Sequence, residues 1–462
     1  MRISELPGPR GLPILGNLLQ VDTSRLHLIA EDWSRTYGDV FRFRIGQRQI
    51  LALANPDTIA AVLRERPDGF HRTERLSAIA DDMGFNGLFS AKGDAWRRQR
   101  PMVMASFDPK HIKTYFPALV KVTRRFERRW RRAAQAGETI DLQSDLMRYT
   151  VDVTSGLAFG ADINTLESDD EVIQTHLDKI FPSLFKRLMA PIPFWRWFRD
   201  RELDRHLEAL RTAVADFIAQ ARLRMEADPR LRERPTNLIE AMIAARDNPG
   251  SGVTDGDVAG NVLTMLLAGE DTTANTLAWM IYLLDRHRHA LRRAADEVET
   301  RNLEDYEDMA ALPFVDACIN ETMRLKPVAP IIMLQPARDT VVTGIEVPKG
   351  TILMCLMRAG PTNERRFPDA RSFDPERWLE GAMRGASASS PKRVAMPFGA
   401  GPRLCPGRYL AMLEMRMVMA MLLAGFHIER VSTPDGREAQ EYLAFTMYPV
   451  GLRLKLGEKA QA

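Results

Sequence analysis

The sequence predicts a mainly α-helical protein with a smaller β-rich subdomain. Long stretches, such as residues 112–132 and 203–225, repeat apolar side chains at the spacing of an amphipathic helix. Short apolar runs typical of strands occur near residue 45 and again near residue 350. Of the 462 residues 45% are hydrophobic, which is enough for a large core, and no long structureless linker interrupts them. A single domain spanning residues 1–462 is therefore the simplest organisation.

The elements follow in chain order. Apolar residues recur at helical spacing from 22 to 37, and Gly38 ends this first helix. Residues 40–45 and 49–53 flank a glycine-containing turn and predict a hairpin, and residues 341–347 and 351–356 are also strand-like. We expect strands from both ends of the chain to share one small sheet. The predicted β-rich lobe draws on about residues 36–60, 330–356 and 425–456, and the remainder forms an α-rich lobe.

Composition excludes several classes of function. Lys and Arg number 64 against 61 Asp and Glu, so the weakly basic chain offers no basis for nucleic-acid binding. Cys318, Cys355 and Cys405 are scattered, without zinc-site or disulfide spacing, which fits a reducing compartment. The first residues contain no apolar run long enough for a signal peptide or a membrane span. We therefore expect a cytoplasmic protein without a membrane anchor.

Residues 398–407 form a Gly- and Pro-rich loop that carries a cysteine and runs into a helix predicted from 409 to 423. Glycines permit tight turns and prolines stiffen them, so the sulfur of Cys405 is held in one place. The adjacent helix N-terminus favours the thiolate, the form that binds a metal, and an iron ligand is chemically sensible here. A buried structural thiol is one alternative. A dinucleotide-binding loop is another, but the third glycine of that fingerprint is missing.

The loop resembles the haem-binding signature of the cytochrome P-450 haem-thiolate monooxygenases through Phe398, Arg403, Cys405 and Gly407. The resemblance extends over nearly the whole chain and implies the cytochrome P-450 fold. It also implies haem b (iron protoporphyrin IX) as cofactor, with Cys405 as the axial iron ligand. Phe398, Gly399 and Arg403 are then expected to bind the cofactor.

An apolar helical stretch from 258 to 284 contains polar residues at its centre. Ala268 and Gly269 leave room for a ligand close to the backbone, and the Thr272 hydroxyl can bond a helix carbonyl and open a gap for water. An isolated Asp-Thr-Thr segment also suits a helix N-cap or an exposed polar patch, although the apolar flanks weaken that alternative. The stretch resembles the oxygen-activating helix of the family. Asp271 and Thr272 match its proton-handling acid–alcohol pair, and Ala268 is expected beside the cofactor.

Glu321 and Arg324 are three residues apart on a helix predicted from 314 to 325, so their side chains share a face. Such a pair alone is a common surface ion pair of little energy. In the resembled family, an arginine at the position of Arg377 completes a buried charged triad. The resemblance therefore implies that Glu321, Arg324 and Arg377 are structural.

Trp96 and Arg100 are four residues apart and share a helix face. The resemblance implies that both bind haem propionates together with Arg403. Family members often have one further arginine at the position that Leu334 occupies here. Arg338 is nearby, and whether it takes over this role stays open.

A dense basic helix face, of the arginines at 124, 125, 128, 129, 131 and 132, is either a solvated face or a docking surface for an acidic electron donor. Arg97, Arg98 and Arg408 would extend that surface. No flavin or iron–sulfur segment is recognisable in the chain. The resemblance thus implies O2 as co-substrate and a separate ferredoxin or flavodoxin-type donor with its NAD(P)H reductase.

The segments that match the substrate contacts of the family are apolar. Each residue alone is more often plain core, but as a set they favour a lipophilic small molecule, such as a fatty acid, terpenoid or steroid. The expected pocket residues are Phe85, Leu88, Leu266, Val328, Ala329, Ile331, Ile332, Leu443, Phe445 and Thr446. A haem-thiolate isomerase or dehydratase and a non-catalytic haem sensor are the alternatives. The Asp271–Thr272 pair argues against the isomerase.

Overall fold

We describe the fold from a computed structural model over residues 1–160, 162–167, 173–190, 193–366, 368–379 and 391–459. The Ser- and Ala-rich segment from 383 to 392, which the sequence indicates as a surface loop, lies almost entirely outside these residues. Helices dominate, as predicted. They are α1 (Leu26–Tyr37), α2 (Pro56–Arg64), α3 (Glu74–Met83), α4 (Gly93–Ser106), α5 (Pro109–Ala136), α6 (Leu142–Phe159), α7 (Ile173–Met189), α8 (Arg201–Ala227), α9 (Leu238–Asp247), α10 (Asp255–Arg286), α11 (Arg288–Glu299), α12 (Tyr306–Ala310), α13 (Pro313–Leu325), α14 (Pro391–Val394) and α15 (Arg408–Gly425).

The strands form several small sheets. They are β1 (Val40–Ile45), β2 (Arg48–Leu53), β3 (Phe70–Arg72), β4 (Ile140–Asp141), β5 (Ile331–Pro336), β6 (Thr340–Val342), β7 (Ile345–Val347), β8 (Ile352–Leu356), β9 (Phe426–Ser432), β10 (Glu441–Leu443), β11 (Met447–Pro449) and β12 (Arg453–Glu458). The largest sheet has the order β1-β2-β8-β5-β3. Its strands pair antiparallel except at β2 and β8, which are parallel. The prediction that both ends of the chain share one sheet is confirmed.

One prediction for the β-rich lobe is wrong. The segment 341–347 is not one strand but a separate hairpin of β6 and β7, because Thr343 and Gly344 reverse the chain at φ of 49° and 80°. The strands beyond residue 425 lie in two further sheets, one of β4, β12 and β9 and one of β10 and β11.

Helix α10 passes through the core and is apolar on nearly all sides. Its residues from Ala274 to Met280 are almost completely buried. A capping box at its start, formed by Thr254 and Asp257, satisfies the first backbone N–H groups. The methionines of α15 at 415, 417, 419 and 421 are also buried, as expected for side chains that fill irregular core space.

Candidate functional site

The loop from 398 to 407 leaves Cys405 exposed, unlike Cys318 and Cys355. Gly399 and Gly401 have φ of 77° and 71°, a conformation that favours glycine. At Gly401 a Cβ would also lie 2.7 Å from the Arg64 Cα, so no larger residue fits. The Cys405 N–H donates to the Phe398 carbonyl at 3.0 Å and folds the loop back on itself. The thiol is exposed, and α15 begins three residues later.

The thiol does not ionise easily on its own. Desolvation by the surrounding protein raises the pKa of Cys405, although the Gly407 N–H and the nearby Arg100 and Arg408 act against this. The predicted effect of the helix N-terminus is therefore present but outweighed. A coordinated metal ion deprotonates such a thiol outright. Cys355, by contrast, is completely buried, and burial raises its pKa to about 12.

Thr272 and Ala268 lie one turn apart on an open part in the middle of α10. Ala268 is exposed and Thr272 is partly exposed, while most residues around them are buried. The Thr272 hydroxyl donates to the Ala268 carbonyl at 2.9 Å, which confirms the predicted bond to a helix carbonyl. One turn further on, the Thr276 hydroxyl donates to the Thr272 carbonyl at 2.8 Å. Two successive turns thus have hydroxyl groups bound to backbone carbonyls.

Asp271 is held by the turn between β10 and β11. Its Oδ2 accepts from the Thr446 hydroxyl at 3.0 Å, and Asn275 Nδ2 donates to the same hydroxyl oxygen at 3.4 Å. The carboxyl is only 8% exposed. Thr446, expected in the substrate pocket, therefore positions the acid of the acid–alcohol pair.

Most of the expected pocket residues lie in the main core. Phe85, Leu88, Leu266 and Leu443 are buried there, and the Phe445 ring packs at its edge. Val328 is partly buried and its carbonyl accepts from the Met447 N–H at 2.8 Å, whereas Ala329 is exposed.

Two of these residues point away from each other. Ile331 packs against the main core, but its neighbour Ile332 packs against the separate core beneath the large sheet, because successive strand residues face opposite sides. Ile332 is therefore not part of the same apolar surface.

Two aromatic residues that the sequence did not single out join Phe445. The rings of Phe89 and Phe181 each lie 5.8 Å from the Phe445 ring. Phe181 belongs to α7, so this helix contributes to the same apolar region. Phe89 could have been proposed from the sequence, because it is an aromatic residue that directly follows the expected pocket residue Leu88.

The charged triad is assembled as the resemblance implies. Glu321 accepts from Arg324 at 2.7 Å and from Arg377 at 3.1 Å, and both Glu321 and Arg324 are buried. Trp378 Nε1 also donates to Glu321, at 2.8 Å, a partner that the sequence did not indicate. The triad therefore ties α13 to the segment that precedes the cysteine loop.

Arg403 is a partly buried cation that forms no ion pair with any carboxylate among the described residues. Its guanidinium lies 5.0 Å from the Trp96 ring and donates to the carbonyl of Leu88, but its Nε is buried without a hydrogen bond. Arg100 donates to the Leu404 carbonyl at 2.8 Å. Burial lowers the pKa of Arg403 to about 9, with a further contribution from nearby cations. An uncompensated buried charge costs several kcal/mol, so this region suits a ligand with carboxylate groups.

The family assignment follows from a comparison with known proteins. A family model described as Cytochrome P450 matches residues 6–456. The chain belongs to the cytochrome P450 family. Its mainly α fold with a β-rich subdomain is the P450 fold, as the resemblance implied.

Several P450 relatives align over most of the chain. Cyclooctat-9-en-7-ol 5-monooxygenase of Streptomyces melanosporofaciens is 28% identical, and the alignment covers 92% of this chain and 89% of that protein. Pentalenene oxygenase of Streptomyces avermitilis is 25% identical, with 97% and 96% covered. A self-sufficient cytochrome P450 monooxygenase of Aspergillus niger is 28% identical over 97% of this chain, but this chain spans only 43% of its length. The chain is thus an oxygen-incorporating oxidoreductase with a haem-iron cofactor.

The described residues fit such a cofactor. An exposed thiol can take a metal, the small side chains of Ala268 and Thr272 leave part of α10 open, and guanidinium groups whose Nε is buried without a hydrogen bond suit carboxylates. Among the residues that the structure describes, no helix is both long and apolar enough to cross a membrane.

The basic face of α5 is largely neutralised. Arg124 pairs with Glu127 and Glu304, and Arg125 with Asp162. Three further arginines of this face also bind carboxylates: Arg128 to Glu167, Arg129 to Asp145 and Arg131 to Glu127. This pattern favours the solvated, ion-paired face over a docking surface for an acidic partner.

Glu414 makes stability depend on pH. This carboxyl is buried on α15 beside Thr273 of α10, and burial raises its pKa to about 8. The folded protein then holds a proton that the unfolded chain loses near pH 4.5, so the free energy of unfolding falls as the pH rises from about 4.5 to about 8. Within that window we expect a contribution of about 1.4 kcal/mol per pH unit.

Glu414→Gln, which is neutral at every pH, should remove this contribution. Urea unfolding at pH 5 and pH 8 should show a larger gain in stability for the variant at pH 8. The exposed Glu138→Gln is the control and should follow the wild-type pH dependence. An equal effect of Glu414→Gln at both pH values would contradict the assigned proton.

Proposed function

We propose that this P450 monooxygenase inserts one oxygen atom into a terpenoid-like lipophilic molecule, with haem b bound through Cys405. The observation that carries the proposal is the Asp271–Thr272 pair on the open part of α10, next to an apolar aromatic region around Phe445. Two relatives that align over most of their length are named for oxidation of cyclooctat-9-en-7-ol and pentalenene. Fatty acids and steroids are the other lipophilic classes. The acid–alcohol pair supports oxygen activation over an isomerase, a dehydratase or a haem sensor.

Several residues of the chain would bind the cofactor. When bound, the haem supplies the redox chemistry that activates O2. Cys405 would hold its iron, Phe398, Gly399 and Ala268 would lie against the ring, and Trp96, Arg100 and Arg403 would bind its propionates.

Proton supply falls to α10. The Thr272 hydroxyl donates to the Ala268 carbonyl, which leaves its oxygen lone pairs to accept a hydrogen bond from water. Asp271, anchored by Thr446, is the adjacent acid that can pass a proton to such a water. The apolar side chains orient the substrate and exclude bulk water.

We propose a separate ferredoxin or flavodoxin-type protein, with an NAD(P)H reductase, as the electron donor. The proposal is supported by the two Streptomyces relatives, which align with this chain over 89% and 96% of their own length. The self-sufficient fungal relative is more than twice as long as its aligned part.

The proposed substrate class is tested by titrating the ferric protein with cyclic terpenes, fatty acids, steroids and small aromatics. A low-to-high-spin shift with cyclic terpenes supports the proposal, because it reports a ligand placed close to the iron. Phe445→Ala should weaken that shift, whereas Phe198→Ala, at a residue that is 72% exposed, should not. A shift with fatty acids or steroids alone would replace the terpenoid assignment.

Thr272→Ala should uncouple electron consumption from product formation. Loss of a positioned proton donor costs roughly 10²-fold in many enzymes, so we expect the ratio of product to NAD(P)H consumed to fall by about ten-fold or more. The ratio is measured with a surrogate reductase. Thr276→Ala removes the same kind of hydrogen bond one turn further along α10. Because the Thr276 side chain is buried, this variant should leave the ratio unchanged. Equal ratios in both variants would remove Thr272 from the proton path.

A further inference from the structure

At position 334 the resemblance to the family implies a propionate-binding arginine, but this chain has an apolar residue there and a cation beside it. Leu334, on β5, is buried and pairs directly with Arg72 on the antiparallel strand β3. Directly opposed residues of antiparallel strands project from the same side of the sheet, about 5 Å apart. Arg72 therefore places its side chain on the face where an arginine at 334 would lie. Arg338 is beyond the end of β5 and exposed.

Arg72 belongs to a group of three arginines of which Arg66 is buried, while Arg72 and Arg403 are partly buried. The Nε atoms of Arg72, Arg66 and Arg403 are all buried without a hydrogen bond, and Arg66 is only 5% exposed. Within the described parts of the chain, no carboxylate forms an ion pair with any of the three. Burial together with Arg66 and Arg403 lowers the pKa of Arg72 well below its usual value. Three neighbouring guanidinium groups of this kind require an anion.

The guanidinium of Arg72 is also held in place. It lies 4.2 Å from the centre of the Phe89 ring, a stacked arrangement that restricts its movement. Phe89 in turn contacts Phe445 in the apolar region. A fixed, planar guanidinium is well suited to bidentate binding of a carboxylate.

We propose that Arg72, supported by Arg66, supplies the haem-propionate contact that Leu334 cannot make. The proposal rests on the proposed haem-binding function. Arg72 of the sheet and Arg403 of the cysteine loop would then both bind propionate carboxylates. Compared with an arginine at position 334, the cation lies on the neighbouring strand but on the same face of the sheet.

The test measures how fast haem leaves the holoprotein for an excess of apomyoglobin. Arg72→Gln should accelerate this transfer by about ten-fold or more, because a charge-assisted bidentate contact is lost. Arg338→Gln is the matched control and should transfer haem at the wild-type rate. Reconstitution with haem dimethyl ester, which has no carboxylates, should abolish the difference between Arg72→Gln and wild type. An equal effect of Arg72→Gln on both haems would show a packing role and overturn the proposal.

A charge swap provides a second test. Arg72→Leu combined with Leu334→Arg returns the cation to the neighbouring strand and should restore slow haem transfer, whereas Arg72→Leu alone should not. No rescue, together with unchanged transfer in Arg72→Gln, would overturn the proposal. So would an effect of Arg72→Gln confined to the spin shift induced by fatty acids, since the partner would then be a substrate carboxylate. Failure of the wild-type protein to bind haem would instead refute the proposed function.

Discussion

Cys405→Ser is expected to reduce monooxygenase activity to background. The reduced, carbon-monoxide-bound protein should also lose the red-shifted Soret band that a thiolate ligand produces. A serine hydroxyl in the same loop is neither ionised nor as strong a donor to iron as a thiolate, although the loop itself can keep its fold. The absorbance spectrum of the reduced protein with carbon monoxide measures the change directly.

Cys318→Ala and Cys355→Ala are the controls, because both cysteines are buried and neither belongs to the loop from 398 to 407. Each should keep the red-shifted band, with at most some loss of stability from the small cavity. A band that survives in Cys405→Ser and disappears in one of the other two would transfer the role of iron ligand to that cysteine.

Glu321→Ala is expected to lower the free energy of unfolding by about 3–5 kcal/mol, because it leaves buried positive charge without its partner. Glu321 accepts hydrogen bonds from Arg324, Arg377 and Trp378, and its side chain has no solvent exposure. Urea unfolding of the holoprotein, followed by circular dichroism, measures the difference.

Glu376→Ala provides the contrast in the same region. Its carboxylate pairs with Arg293, but both side chains are about half exposed, so the pair is screened by water. We expect a change of less than about 1 kcal/mol. Similar losses in the two variants would show that the buried triad adds nothing beyond an ordinary surface pair.

The helices were predictable because apolar spacing is a local signal. The expected helix from 258 to 284 is α10, which extends from Asp255 to Arg286, since its polar capping box lies outside the apolar pattern. The strands β3 and β5 were not predicted. The first has only three residues, and the second has an apolar run without the alternation that distinguishes a strand.

The candidate site shows the same difference between residues in local motifs and contacts between distant segments. Cys405, Asp271 and Thr272 lie in short motifs that can be recognised in the chain. The contact between Thr446 and Asp271, and the proximity of Arg72 to Arg403, depend on pairing between distant segments. A sequence pattern does not show that Arg72 is opposite Leu334, because register is set by the whole sheet.

The parallel pairing of β2 with β8 has a consequence for biosynthesis. Ile50 pairs with Ile352, so about 300 residues must leave the ribosome after β2 before its partner strand exists. At roughly 5–20 residues per second, translation of that interval takes about 15–60 s. During this time one edge of the N-terminal hairpin is unprotected and prone to pair with other chains. Expression at lower temperature or with additional chaperones should therefore raise the yield of intact protein.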